Sequence, residues 1–191
     1  MEATPDYVAT VLAEAIALHR QFAAADLQPV YGAAAMIVEA FAGGGKLLVL
    51  GNGGSAADAQ HVAAELVGRF ERVRRPMAAL ALTADSSVVT SVANDEGYAE
   101  VFVRQVEGLG RTGDVVLAIS TSGRSPNVVA ALKTARELGL KTIALTGGDG
   151  GDAGLLCDVH VNVAAENTAR VQEVHRTLLH AICGLVEQAV A

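Results

Sequence analysis

The sequence has no tryptophan, 4% aromatic residues, four prolines and two cysteines in 191 residues. With so few rings, a core has to be assembled from Ala, Val, Leu and Ile. Alanine-rich helices bury little area each, so such a chain gains from added interface area with further copies. Cys157 and Cys183 are too few for a disulfide framework and lack metal-finger spacing. No uncharged apolar run reaches the length of about 18 residues that a membrane span needs. The opening MEATPDYV carries acids in place of a basic leader region, so no signal peptide is expected and a cytoplasmic location is. Positive charge is scarce too: 14 Lys and Arg against 21 Asp and Glu leave −7. That balance argues against a general nucleic-acid coat and leaves room only for a local basic pocket. What the chain does hold is 51% hydrophobic residues and 20 glycines, which excludes wholesale disorder and provides one good core. A single domain over residues 1–191 is expected.

Apolar residues at helical spacing (Val8, Val11, Leu12, Ala15, Ile16, His19, Phe22) predict a helix over 5–25. Ala33, Ile37 and Phe41 predict a second over 30–41, stopped by the glycines at 43–45. Residues 1–43 thus form a helical extension, expected to serve in oligomer packing. Then the period changes. KLLVL (46–50) reads as a strand buried on both faces, and strands follow at 77–83, 114–120, 141–147 and 158–163. Helices are predicted from Ser55 to about Phe70, over 86–93 and 96–108 with Asn94–Asp95 dividing them, from Pro126 to Gly139, and over 168–190. Ser55 and Asp58 read as a capping box, and GGDGGDAG (147–154) as a loop. Strands alternating with helices define an α/β domain with a doubly wound, mostly parallel five-stranded sheet. Ligands of such sheets sit at the carboxyl ends of the strands.

Two loops at those ends are rich in Gly and Ser. In 120–125, Ser120, Thr121, Ser122 and Ser125 place four hydroxyls between a strand and a helix start, with Gly123 allowing a close backbone turn. Hydroxyls, free backbone N–H groups and a positive helix end make a phosphate cradle. The alternative is an ordinary Ser/Gly turn that caps the helix. No GxxxxGK run exists, which disfavours a nucleoside triphosphate. In the second loop, Gly51, Asn52, Gly53, Gly54 and Ser55 resemble a dinucleotide turn, but the next strand ends in Thr83 and not in an acid for a ribose. Asn52 is the residue best suited there to hydrogen-bond a polyol.

His61 and Glu65 share one helix face at i, i+4. That spacing fits a surface pair, a buried polar pair, or two ligands of one divalent metal. Asn94 and Asp95 either line the same mouth or terminate a helix. On the last helix, Gln172 and His180 are separated by ~12 Å of rise, too far for one small ion. If both serve one site, one of them arrives from a neighbouring subunit. His175, His19 and His160 read as core or structural histidines.

Taken together, GNGGSAADAQH (51–61), AAELVGRF (63–70), ANDEGY (93–98), AISTSGRS (118–125), ALTGGDGG (144–151) and ARVQEVH with His180 resemble the phosphoheptose isomerase family, within the wider group of sugar-isomerase (SIS) domains. The resemblance spans nearly the whole chain. It implies interconversion of sedoheptulose 7-phosphate and D-glycero-D-manno-heptose 7-phosphate through an enediol, feeding bacterial heptose and surface-glycan synthesis. It implies a homotetramer with sites at subunit borders, with phosphate on Ser120, Thr121, Ser122 and Ser125. The sugar would lie along Asn52, Gly53, Gly54, Ser55, Asn94, Asp95 and Gln172. Glu65 would be the general base, His180 the general acid, and one zinc per subunit would be held by His61, Glu65, Gln172 and His180. Arg124 stands where many relatives have Asn, and Ala169 where some have Asp. A binding-only sugar-phosphate domain would keep 120–125 and lose this polar set.

Overall fold

The computed structural model describes residues 5–190. Its strands are β1 (Leu47–Gly51), β2 (Ala79–Ala81), β3 (Val115–Ser120), β4 (Lys141–Gly147) and β5 (Val159–Val163). They form one wholly parallel sheet in the order β2-β1-β3-β4-β5. The helices are α1 (Pro5–Ala23), α2 (Gln28–Ala42), α3 (Gly54–Val67), α4 (Ser86–Asp95), α5 (Val103–Leu109), α6 (Pro126–Glu137), α7 (Gly151–Leu156) and α8 (Thr168–Val190). Both faces of the sheet are covered, as parallel sheets require.

Alternation along the strands sends side chains into two cores. Leu47, Val49, Val115, Leu117 and Ile119 pack with α2, α3 and α8, while Leu48, Leu50, Val116 and Ala118 pack with α5 and α6. α1 lies outside this sandwich, against α8. Its buried residue is Leu18; Tyr7, Val8, Leu12 and Ile16 are more than half exposed. Half the apolar stripe predicted for this helix therefore faces away from the core.

Several boundaries differ from expectation for local reasons. α3 begins at Gly54 because Gly53 takes a left-handed φ of +55° and starts the helix early. No capping box forms: Ser55 lies inside the first turn, and buried Asp58 accepts a hydrogen bond from Arg176 Nε at 2.7 Å. α3 stops at Val67, and the backbone N–H groups of Phe70, Glu71 and Arg72 turn instead to the Glu187 carboxylate. The loop expected at 147–154 contains the start of α7, and a 3₁₀ turn at Tyr98–Glu100 interrupts the helix expected over 96–108.

Candidate active site

The strand order reverses direction between β1 and β3. A crevice opens at such a switch point, outside the carboxyl ends of the strands. β1 ends at Gly51, paired with Ile119 of β3, so the loops 51–54 and 120–125 flank that point. These are the two loops singled out from the sequence.

The hydroxyl loop is braced from behind. Gly123 has φ +63°, and a Cβ there would lie 1.9 Å from the Gly150 carbonyl oxygen. The Ala153 N–H donates to the Gly123 carbonyl at 2.9 Å. Arg124 donates to the Ser122 carbonyl at 3.2 Å and makes a two-pronged pair with Asp149, whose carboxyl the Arg124 hydrogen bonds pull down to about 2. Ser125 is the N-cap residue of α6, yet its hydroxyl caps no backbone N–H and faces Ser120 Oγ at 3.3 Å. The Ser125 hydroxyl is thus not spent on capping, whereas Ser122 Oγ accepts the Arg124 backbone N–H at 3.2 Å as in a local turn.

Across the crevice, Asn52 exchanges two hydrogen bonds with Asn127: Asn52 Nδ2 donates at 2.8 Å and Asn127 Nδ2 at 2.9 Å. The Tyr98 hydroxyl also donates to Asn52 Oδ1, at 3.1 Å. Sequence reasoning missed both Asn127 and Tyr98. Asn94 and Asp95, by contrast, end α4 exposed and bonded to each other at 2.8 Å, with no bond to the cradle.

The second polar cluster comes from α3 and α8, which run side by side. Gln172 lies against Gly54, Arg176 holds Asp58, His180 meets His61, and Glu187 holds 70–72. That register brings His61 Nε2 to 2.7 Å from His180 Nε2 and 3.3 Å from Glu65 Oε1. One ligand atom each from His61, Glu65 and His180 falls within 4.8 Å of the others, close enough for the three to share one cation. All three are partly exposed, and the Phe70 ring leans on His180 with centroids 5.5 Å apart. Two imidazole nitrogens in contact need a shared proton or a cation between them.

Of Gln172 and His180, it is His180 that reaches His61 and Glu65 within one chain, because α3 and α8 run parallel in this register. Gln172 does not join them. Its amide lies beside Gly54, where a Cβ would come within 2.8 Å of Nε2. The predicted quartet is therefore a trio plus a distant amide in any one chain.

Glu187 anchors the end of this cluster. Burial pushes its carboxyl up, but the three backbone N–H groups and Arg74, with Nε 3.1 Å away, outweigh that and hold it below the usual range. His175 is buried, donates from Nε2 to the Thr146 carbonyl at 2.9 Å, and has its pKa lowered by burial. Among the described residues its Nδ1 has no partner, so it is a core histidine only half satisfied. His19 bonds Ala15 and Thr177, and His160 bonds Thr146, as structural residues.

The fold is a parallel α/β sheet with hydroxyl-rich loops at its switch point, and residues 11–147 match the SIS domain. The chain is 54% identical over 168 residues to the phosphoheptose isomerase of Pelobacter propionicus, covering 87% of this chain and 89% of that protein. Its fold superposes on the phosphoheptose isomerase of Neisseria gonorrhoeae with a TM-score of 0.91 at 44% identity, over 96% of this chain and 98% of that one. For the Francisella tularensis phosphoheptose isomerase the TM-score is 0.94 at 36% identity, over 98% and 100%. The chain belongs to the phosphoheptose isomerase family and is an isomerase. Among the described residues no helix is long and apolar enough to cross a membrane.

Proposed function

We propose that the chain interconverts sedoheptulose 7-phosphate and D-glycero-D-manno-heptose 7-phosphate in the cytoplasm, with Glu65 and His180 moving the protons. The observation that carries this is the meeting of a carboxylate and an imidazole in one partly exposed cluster, in a chain whose sheet rim also offers four hydroxyls. Glu65 takes a proton from C1 of the ketose while His180 delivers one to O2, leaving a neutral enediol. His180 then accepts the O1 proton as Glu65 returns its proton to C2, and the aldose results. Glu65 Oε1 faces His61, which leaves Oε2 for the carbon-bound proton. Ser120, Thr121, Ser122 and Ser125 anchor the phosphate, so that binding energy remote from the reaction aligns C1 and C2.

The donor set of two imidazoles and a carboxylate suits zinc. His61, Glu65 and His180 would hold the ion, which when bound would offset the partial charge that develops on O1 and O2 while the protons move. Gln172 reaches such an ion only from a second chain.

A homotetramer with sites at subunit borders completes the reading. The trio stands two to three turns below the rim, since His61 and Glu65 lie seven and eleven residues beyond Gly54, ~10 and ~16 Å along α3. In that assembly a phosphate held at the rim of one chain presents its sugar to the trio of another. The exposed stripe Tyr7, Val8, Leu12 and Ile16 of the 1–43 extension supplies apolar surface for the assembly. The test is turnover of C5, C6 and C7 ketose phosphates with and without a chelator. Sedoheptulose 7-phosphate is expected to give an aldose product, and Glu65→Gln to abolish it while sugar-phosphate binding persists. Full turnover by that variant removes Glu65 as the base.

A further inference from the structure

We propose that Asn127 is a positioning residue, which with Tyr98 locks the Asn52 amide so that it offers a substrate only a hydrogen-bond donor. The inference rests on the isomerase reading and concerns how its sugar is recognised.

An Asn side chain has two N–H donors and two acceptor positions on oxygen. Asn52 Oδ1 receives Asn127 Nδ2 at 2.9 Å and the Tyr98 hydroxyl at 3.1 Å, so its acceptor capacity is filled. Its Nδ2 gives one N–H to Asn127 Oδ1 at 2.8 Å and keeps the other. Asn127 Oδ1 is filled as well, by Asn52 and by the Val128 N–H at 3.0 Å. Asn127 is 2% exposed and sits one residue inside α6, so its orientation is imposed by the helix start and by Val128. Asn52, in the loop after β1, is partly exposed and has no such backbone bond of its own. The buried amide therefore dictates the orientation of the exposed one across the crevice.

The chemical consequence is selectivity for a sugar oxygen that accepts. A hydroxyl or carbonyl oxygen can take the free Asn52 N–H, whereas a group that only donates finds no acceptor there. Asn127 does not touch the sugar; it acts through Asn52. The bonds to Asn52 also tie the β1 loop and the Tyr98–Glu100 turn to the start of α6, beside the phosphate loop.

The experiment compares wild type, Asn52→Ala, Asn127→Ala, the double variant and Tyr98→Phe. Dissociation constants for sedoheptulose 7-phosphate and for inorganic phosphate are measured by calorimetry, beside turnover. Removing one oriented neutral hydrogen bond is expected to weaken ketose-phosphate binding about three- to tenfold. Inorganic phosphate should bind within about twofold of wild type, since no phosphate contact changes. Asn52→Ala and Asn127→Ala should give similar losses, and the double variant should be no worse than either, as residues in one network couple. Tyr98→Phe keeps the ring and frees one Asn52 acceptor position; it should weaken the ketose phosphate about twofold or more and leave phosphate alone. It also serves if Asn127→Ala does not fold. Losses that multiply in the double variant, an equal loss for inorganic phosphate, or unchanged ketose-phosphate affinity in Asn127→Ala or Tyr98→Phe overturns the proposal. Wild type that binds the ketose phosphate without turning it over sinks the isomerase reading instead, and the binding ratios still judge Asn127.

Discussion

Within one chain the hydroxyl loop stands at the carboxyl rim of the sheet, while His61 and Glu65 stand ~10 and ~16 Å down α3 from its first residue. A base must come to ~3–3.5 Å of the atom it attacks. In the reading proposed above, each working site takes its loop from one chain and its carboxylate from another. The perturbation is a pair of variants. Ser122→Asp puts a carboxylate into the phosphate loop at an exposed position, where no packing is disturbed. Glu65→Gln removes the base from the trio. Each alone should be inactive. When both chains are co-expressed and mix at random, a site works if its loop comes from a Glu65→Gln chain and its carboxylate from a Ser122→Asp chain. Each half is intact with even odds, so about a quarter of wild-type activity should return. The assay is aldose formation by purified mixed oligomers, with the two variants mixed without subunit exchange as control. Were loop and trio of the same chain to work together, no mixture could contain an intact site. Mixed oligomers as dead as their parents would refute the two-chain site.

Gly123→Ala meets both a left-handed φ and a Cβ 1.9 Å from a carbonyl oxygen that cannot move aside. Strain and overpacking together should destabilise by ~3–5 kcal/mol, seen as a drop of ~10 °C or more in thermal unfolding, and an unchanged melting temperature contradicts the interlocked loops. Glu187→Gln turns an amide toward three backbone N–H groups and should destabilise by ~2–4 kcal/mol, with faster hydrogen exchange at Phe70, Glu71 and Arg72. Because the folded Glu187 pKa is lowered, its contribution is full above the ordinary carboxylate pKa, ~4.3, and is lost as pH falls through the folded value; wild type should lose stability below that range more steeply than the Gln variant. The Cys183 thiol, pushed up to about 12 by burial and then by Glu65, should resist alkylation at neutral pH until the chain is unfolded; labelling at a free-thiol rate in the native state would show that helix face to be open.

The strands and helices were legible because their signals are local. KLLVL reads as doubly buried, Pro126 as the start of a helix, and the placing of both Gly/Ser loops at the carboxyl ends of strands follows from strand alternation. What failed at short range failed through glycine and tertiary partners: Gly53 moved the start of α3 and left Asp58 free for Arg176. Spacing on one helix also separates Gln172 from His180, and in this chain Gln172 lies against Gly54 while His180 meets His61. Spacing is silent, though, on which of the two joins His61, because that depends on the register of one helix against another. The register is set by Arg176 on Asp58 and by Glu187 on the backbone of 70–72, long-range contacts that no motif announces. Asn127 escaped notice for the same reason. An Asn after a proline at a helix start reads as part of a turn, and only the approach of the β1 loop, 75 residues away in sequence, makes it a partner of Asn52. The chemistry of this site was therefore readable wherever one element carries it, and unreadable wherever two elements must agree on their alignment.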